Sequence, residues 1–254
     1  MEIKVLGCSG GVGVDLRTTT ILIDGDVLID AGTGVGDLSL DEMSAIRHIF
    51  LTHSHLDHIA CVPLLVDTLF DRLTTPITVH AQATTIEALQ KHIFNNVVWP
   101  DFTRLPTPEK PVIRFETQEA GEVVRLGARS FESIRVNHTV PGVGYRVESE
   151  KGVFAFSGDT TTNDSFWAGL NAHGALDILM VEVAFPNEES ELCRQAGHYC
   201  PDMLARDLAK LRHQPQVYIS HNKPGAESRI FAQCRDTITS HDIHPLHGGN
   251  RFTL

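Results

Sequence analysis

The chain has 254 residues, 42% hydrophobic and 21% charged, a balance that excludes a disordered or low-complexity polypeptide and suits one globular domain over residues 1–254. Its 32 acidic against 21 basic side chains give a formal net charge of −11, which argues against a surface built to neutralise a long nucleic acid and leaves room for a small anionic substrate. Five scattered cysteines without CxxC spacing argue against a disulfide framework; with no run of membrane-spanning length and no basic, apolar leader, a cytoplasmic protein without membrane contact is expected.

Residues 2–6 alternate as a strand and run into Gly7-Cys8-Ser9-Gly10-Gly11-Val12-Gly13. A Gly-x-Ser-x-Gly lies inside that stretch, but a nucleophilic serine of this kind needs a helix behind it, and here Val14-Asp15-Leu16-Arg17 leads to another strand. The loop reads instead as a permissive turn near the mouth of a site. Residues 20–30 carry two short strands around the tight turn Asp24-Gly25-Asp26, and the spacing of Leu, Met and Ile over 38–46 predicts a short amphipathic helix.

A buried strand then enters a dense set of ligand-type residues: Ile49-Phe50-Leu51-Thr52-His53-Ser54-His55-Leu56-Asp57-His58-Ile59. Side chains two apart in extended chain point the same way, so His53 and His55 can grip one metal ion. Asp57 and His58 come next, where the chain turns out of the sheet, close enough to serve a second. Imidazole with carboxylate suits zinc first, with manganese or iron as alternatives; a thiolate-rich set would have indicated a structural site. A solvated polar loop explains poorly why four such residues occupy six positions directly after an apolar run.

Downstream, Pro63 can open a helix to about residue 71 with Leu64, Leu65 and Leu69 facing inward, followed by a strand at 76–81 and a helix at 84–94. Residues 98–111 concentrate Trp99, Phe102 and four prolines, and carry two readings: a proline-stiffened surface connection, or an aromatic wall on which a base stacks against Phe102. Segments 112–115, 122–126, 130–136, 142–147 and 153–157 read as a mostly antiparallel run, with His138 and Asp159 at strand ends as further ligand candidates. A strand at 177–182, a helix at 201–211, a strand at 217–220 ending at His221, and a closing helix at 226–239 complete the pattern.

Thr52-His53-Ser54-His55-Leu56-Asp57-His58 resembles the signature of the metallo-β-lactamase-fold hydrolases. The resemblance implies an α/β fold, a four-layer αββα sandwich of two mixed sheets flanked by helices. It implies two divalent ions, with His53, His55 and His138 on one, Asp57, His58 and His221 on the other, and Asp159 between them. Asp30-Ala31-Gly32-Thr33-Gly34 also resembles the superfamily, where such an aspartate supports the metal loop. Glu182-Val183-Ala184-Phe185 with Gly197-His198 resembles the Glu and His pair of the ribonuclease Z and phosphodiesterase branch, in which the His protonates the leaving oxygen and the Glu orients it.

From Leu6-Gly7-Cys8-Ser9-Gly10 to His221-Asn222-Lys223-Pro224 the chain is similar to bacterial 3′,5′-cyclic-nucleotide phosphodiesterases; it departs at Cys61, where Gly or Ser is expected, and at Pro63, where a branched aliphatic is. The implied activity is hydrolysis of a cyclic nucleotide to the 5′-monophosphate by in-line attack of a metal-bridging hydroxide that Asp57 orients. Phe102 and Phe185 are candidate substrate contacts, and a homodimer is the protein partner such relatives imply. Two alternatives share the ligands: a ribonuclease Z-like nuclease trimming RNA 3′ ends, whose basic arm is missing here, and a thioester or lactone hydrolase, which would not need Glu182 and His198.

Overall fold

The computed structural model describes residues 1–254. Its first half contains β1 (Glu2–Gly7), β2 (Thr20–Ile23), β3 (Val27–Ile29), α1 (Leu40–Ala45), β4 (His48–Phe50), α2 (Leu56–Ile59), α3 (Cys61–Thr68), β5 (Ile77–Ala81), α4 (Ala83–His92), a small hairpin of β6 (Pro106–Thr107) and β7 (Lys110–Pro111), and β8 (Ile113–Thr117). The second half contains β9 (Val123–Leu126), β10 (Arg129–Arg135), β11 (Val143–Ser149), β12 (Gly152–Phe156), α5 (Ser165–Asn171), β13 (Ile178–Glu182), α6 (Ser190–Ala196), α7 (Pro201–Leu208), β14 (Gln216–Ser220), α8 (Glu227–Thr237), β15 (Ile243–Pro245) and β16 (Arg251–Thr253).

Two seven-stranded sheets result, in the orders β16-β1-β2-β3-β4-β5-β8 and β15-β14-β13-β12-β11-β10-β9. Both are mixed. Hairpins, together with the pairing of β16 on β1, make one side of each antiparallel, and crossovers make the other side parallel, from β3 to β8 in the first sheet and from β12 to β15 in the second.

The period of two sorts side chains into three apolar layers. Ile21, Ile23 and Phe50 point between the sheets, where they meet Phe131, Tyr145, Phe154, Phe156 and Met180. Their neighbours Leu22, Ile49 and Leu51 face outward onto α3 and α4, while Ala155, Leu179 and Val181 face the opposite way onto α5 to α8. Helix, sheet, sheet and helix therefore stack in four layers, as the resemblance implies. No helix is long and apolar enough to cross a membrane.

Local chemistry sets several elements. Ser39 and Glu42 form a reciprocal capping box at the start of α1, each side chain bonding the other's main-chain N–H (3.3 and 2.8 Å). At the end of β1 the register with β2 shifts, and a Cβ on Gly7 would lie 2.1 Å from the Thr18 carbonyl, so a side chain is excluded there.

Four expectations need correction. Residues 113–117 alternate like the antiparallel run that comes after them, yet β8 belongs to the other sheet, parallel to β5. Leu64 is 48% exposed while Leu65 and Leu69 are buried, because α3 turns its 64 position to solvent. Helices α5 and α6 lie where no helix is expected from the sequence. Phe102 is 3% exposed and packs in the first outer core, with ring centroids 5.6 Å from Phe70 and 6.5 Å from Phe94. Buried in this way, it is not a substrate wall.

Candidate metal centre

The parallel strands of both sheets deliver their C-terminal ends to one region. After β4 the chain passes through Thr52 to His53, and extended backbone at His55 leads into the single turn of α2, which carries Asp57 and His58. From the second sheet come His138 after β10, Asp159 after β12 and His221 after β14.

Three groups of ligand-type atoms form, one of them Asp159 with Glu182 and His198, and the other two contain the expected ligands. His53, His55, His138 and Asp159 make one and Asp57, His58, Asp159 and His221 the other, each with its ligand atoms within 4.8 Å of one another. Asp159 is shared: its Oδ2 lies 3.7 Å from His53 Nε2 and 3.3 Å from both His58 Nε2 and His221 Nε2. Asp57 Oδ2 is 3.8 Å from His58 Nε2 and from His221 Nε2. All seven residues named as ligands from the sequence thus converge, four from the first sheet and three from the second.

The surrounding hydrogen bonds decide which ring nitrogen faces inward. His58 donates Nδ1–H to Asp30 Oδ2 (2.6 Å), and His138 donates Nδ1–H to the Gly197 carbonyl (2.8 Å), leaving Nε2 of each as a lone pair. His53 Nδ1 meets Thr52 Oγ1 (2.9 Å), and that hydroxyl in turn donates to Asp30 Oδ2 (2.9 Å).

The consequence is an unbalanced concentration of acceptors. His53 Nε2, His58 Nε2, Asp159 Oδ1 and both nitrogens of His221, one of them an N–H, are buried without a hydrogen-bond partner in the protein. His138 Nε2 and His55 Nδ1 lie 3.0 Å apart, so without an ion the lone pair of the first is met by an N–H of the second. Buried acceptors facing one another are costly unless a cation lies among them. The donor set therefore fits two divalent ions with mixed imidazole and carboxylate ligation.

Electrostatics agrees. Burial, aided by neighbouring rings, holds His53 well below the ordinary imidazole range, His138 at about 4 and His221 at about 3, so these rings are neutral ligands at neutral pH. Burial opposes charge on Asp159, but His221, His58 and His53 outweigh it and hold the carboxyl well below its usual range. His58 is also disfavoured as a cation by burial, yet lying between Asp159 and Asp30 raises it well above the ordinary value. Positive charge is favoured at that point, and a metal ion would supply it.

Beside the ligands sits a second unit. His198 Nδ1–H donates to Glu182 Oε1 at 2.7 Å, and Glu182, fully buried at the end of β13, also accepts from the Thr160 N–H (2.9 Å) and more weakly from the Tyr199 N–H (3.4 Å). The His198 ring stacks on His221 with centroids 5.4 Å apart and lies 5.0 Å from His138. Burial works against its charge, but Glu182 and then Asp159 more than restore it, so its pKa stands above that of a free imidazole. Phe185, half-buried, lies 5.8 Å from His198.

Sequence reasoning missed the support behind this pair. Tyr199 OH donates to Asp207 Oδ2 (2.6 Å), which also accepts from Asn163 N (3.0 Å), while Asn163 Nδ2 donates to Thr160 Oγ1 (3.0 Å). Nothing in their spacing marks these residues. Thr52, by contrast, stands inside the ligand motif.

A family model described as a beta-lactamase superfamily domain matches residues 26–221. A protein of Yersinia pestis named a probable 3′,5′-cyclic-nucleotide phosphodiesterase is 28% identical over 278 residues, covering 88% of this chain and 78% of that protein. A ribonuclease Z of Haloarcula marismortui is 31% identical over 165 residues, 61% of this chain but only 50% of the enzyme. The crystal structure of unliganded yeast PDE1 superposes with a TM-score of 0.83 at 18% identity, covering 100% of this chain and 99% of that one, a likeness of fold.

Proposed function

The chain belongs to the β-lactamase superfamily, and from that premise we propose that it is a metal-dependent phosphodiesterase that hydrolyses 3′,5′-cyclic nucleotides to 5′-monophosphates. The observation that carries this reading is the buried Glu182–His198 pair, held at 2.7 Å against the ligand cluster. A thiolate leaves a thioester without a proton, whereas an alkoxide expelled from a phosphodiester needs one, which makes a poised imidazolium the distinguishing part. The relationship to the Yersinia pestis protein supports the same substrate class.

His53, His55 and His138 would hold one ion, Asp57, His58 and His221 the other, with Asp159 common to both. When bound, a pair of divalent ions supplies a water of lowered pKa and neutralises charge building on the phosphoryl oxygens. Asp57, the one ligand carboxylate whose side chain is 30% exposed, is placed to accept a hydrogen bond from that water. His198 keeps Nδ1–H on Glu182 and gives the Nε2 proton to the departing 3′ oxygen as a water oxygen bonds to phosphorus and the P–O3′ bond breaks. It ends neutral, and the leaving group ends as an alcohol. Thr160 N–H, bonded to Glu182, keeps the carboxylate from rotating away.

The test is product identification after the zinc- or manganese-loaded protein is incubated with 3′,5′-cyclic AMP, with His55→Ala as control. Formation of 5′-AMP that the control lacks supports the reading. Failure with either metal, while a nitrophenyl diester is cleaved, refutes the cyclic-nucleotide assignment and directs attention to RNA ends.

A further inference from the structure

Lys223 stands two residues after His221 and is fixed from both ends. Its main-chain N–H donates to the Ala184 carbonyl (3.0 Å), and its ammonium donates to the Gly10 carbonyl (2.8 Å). The two loops meet closely, since a Cβ on Gly10 would lie 2.5 Å from the His221 carbonyl and one on Gly11 would lie 3.0 Å from the Pro224 ring. From this tether the ammonium reaches 5.9 Å from the centroid of Phe185, whose ring lies 5.8 Å from that of His198.

The half-buried ammonium has one side-chain bond, to a neutral carbonyl, and a cation with a flexible stem gains little from that alone. Two of its three donors are left for something else. In a chain of net charge −11, a cation held without a carboxylate partner beside the proposed acid is suited to an acceptor brought in by substrate. The proton on His198 goes to the leaving oxygen, so whatever is bonded to that oxygen lies next to His198, where Phe185 adjoins the ring and Lys223 in turn adjoins Phe185.

We propose that Phe185 and Lys223 form the leaving-group subsite, Phe185 packing against the nucleoside half and Lys223 donating a hydrogen bond to an acceptor on it. This rests on the phosphodiesterase reading above. The acceptor has two possible sources, a neutral atom of the ribose or base, or an anionic oxygen on a second phosphate carried by the leaving half.

Calorimetric binding to the metal-loaded protein tests it, with inorganic phosphate, 5′-AMP and adenosine 2′,5′-bisphosphate as probes and Lys223→Met, Lys223→Arg and Phe185→Leu as variants. Loss of a hydrogen bond from a charged donor should weaken 5′-AMP by about ten- to a hundredfold in Lys223→Met while phosphate changes by less than about twofold. Lys223→Arg should recover most of the loss, and Phe185→Leu should weaken 5′-AMP but not phosphate. A larger loss for the bisphosphate than for 5′-AMP identifies the anionic source, and equal losses the neutral one. Equal weakening of phosphate and 5′-AMP overturns the proposal, because Lys223 would then serve the phosphate or merely hold the Gly10 loop; so does unchanged 5′-AMP binding. A wild-type protein that binds phosphate but not 5′-AMP refutes the nucleotide reading itself and the subsite with it.

Discussion

Asp30→Asn probes the layer behind the metal ligands. Asp30 has a backbone φ of 56°, a conformation asparagine adopts readily, so the substitution leaves the main chain undisturbed. Its carboxylate accepts from His58 Nδ1 (2.6 Å), Thr52 N (2.8 Å) and Thr52 Oγ1 (2.9 Å), three donors on two oxygens in a fully buried place. An amide offers one oxygen. If that oxygen faces Thr52 N, the NH2 group confronts His58 Nδ1–H and drives the imidazole to the other tautomer, placing a proton on the Nε2 that faces Asp159. If it faces His58, the Thr52 N–H is opposed by a donor. The second arrangement leaves a buried donor unpaired and the first gives up the charge-assisted bond from His58, a cost of about 1–3 kcal/mol in either case. At about 2–4 °C per kcal/mol for a chain of this size, the metal-free protein should melt roughly 2–12 °C lower. Metal affinity should fall about 10–100-fold, as it does when the outer partner of a ligand histidine is removed. Chelator competition reads the affinity and calorimetry the melting. An affinity within about twofold of wild type would refute the claim that Asp30 sets the His58 tautomer.

Further outcomes rest on the same geometry. His198→Ala should lower turnover of 3′,5′-cyclic AMP by about 10²–10⁴-fold but that of a nitrophenyl diester far less, since nitrophenolate leaves without a proton; equal losses would exclude the acid role. His80, buried beside His48 (3.0 Å between ring nitrogens), has its pKa pushed down to about 4 by burial and then by His48, from an ordinary 6.5. The unfolded chain therefore binds the extra proton between those values, and the associated stability, present in full above pH 6.5, is lost as pH falls toward 4, amounting to about 2 kcal/mol at pH 5. Denaturant unfolding of the metal-free protein at pH 7 and 5, wild type against His80→Gln, measures it: the variant should lose less on acidification, and an identical loss would show that His80 is not depressed. Phe102→Ala should destabilise the fold by about 3–5 kcal/mol with KM for a nucleotide unchanged, and a raised KM at unaltered stability would return Phe102 to the site.

Much of the centre was legible because its chemistry is local. Four ligands stand in six consecutive positions behind an apolar strand, and such a set has few other uses. His138, Asp159 and His221 are each ordinary in sequence, and only resemblance joined them to it. The misassignment of β8 has a different origin: Ile113-Arg114-Phe115-Glu116-Thr117 alternates as any half-buried strand does, and alternation says nothing about which partner completes the ladder. That choice is made by the α4 crossover and by pairing with β5, 36 residues earlier at Ile77 and Ile113. Phe102 was misplaced because its neighbours are prolines and polar residues. The rings that bury it, Phe70 and Phe94, come from elsewhere in the chain. Helices α5 and α6 have seven residues each, too short for a period to declare itself.

The ligands come from both sheets, so the spacing of the two ion sites depends on how the sheets are held together, and one residue has an outsized part in that. Thr52 uses every polar atom it has. Its N–H and hydroxyl bind Asp30 at the end of β3, within the first sheet (2.8 and 2.9 Å). Its carbonyl accepts from Val143 N–H at the start of β11, in the second sheet (3.0 Å), and a Cβ on Gly158, the residue before Asp159, would lie 3.0 Å from its own. One residue earlier, the Leu51 carbonyl accepts from Tyr145 OH, again across the sheets (2.9 Å). Beneath them Phe50 stacks on Phe131 at 4.4 Å. The peptide that leads into His53 is therefore bonded to the sheet that carries Asp159, which ties the first-sheet ligands to the shared carboxylate through two hydrogen bonds and one glycine contact. A slide between the sheets would have to break those bonds before it could change the separation of the two ligand groups, so the interior packing and the geometry of the metal centre are one structural unit.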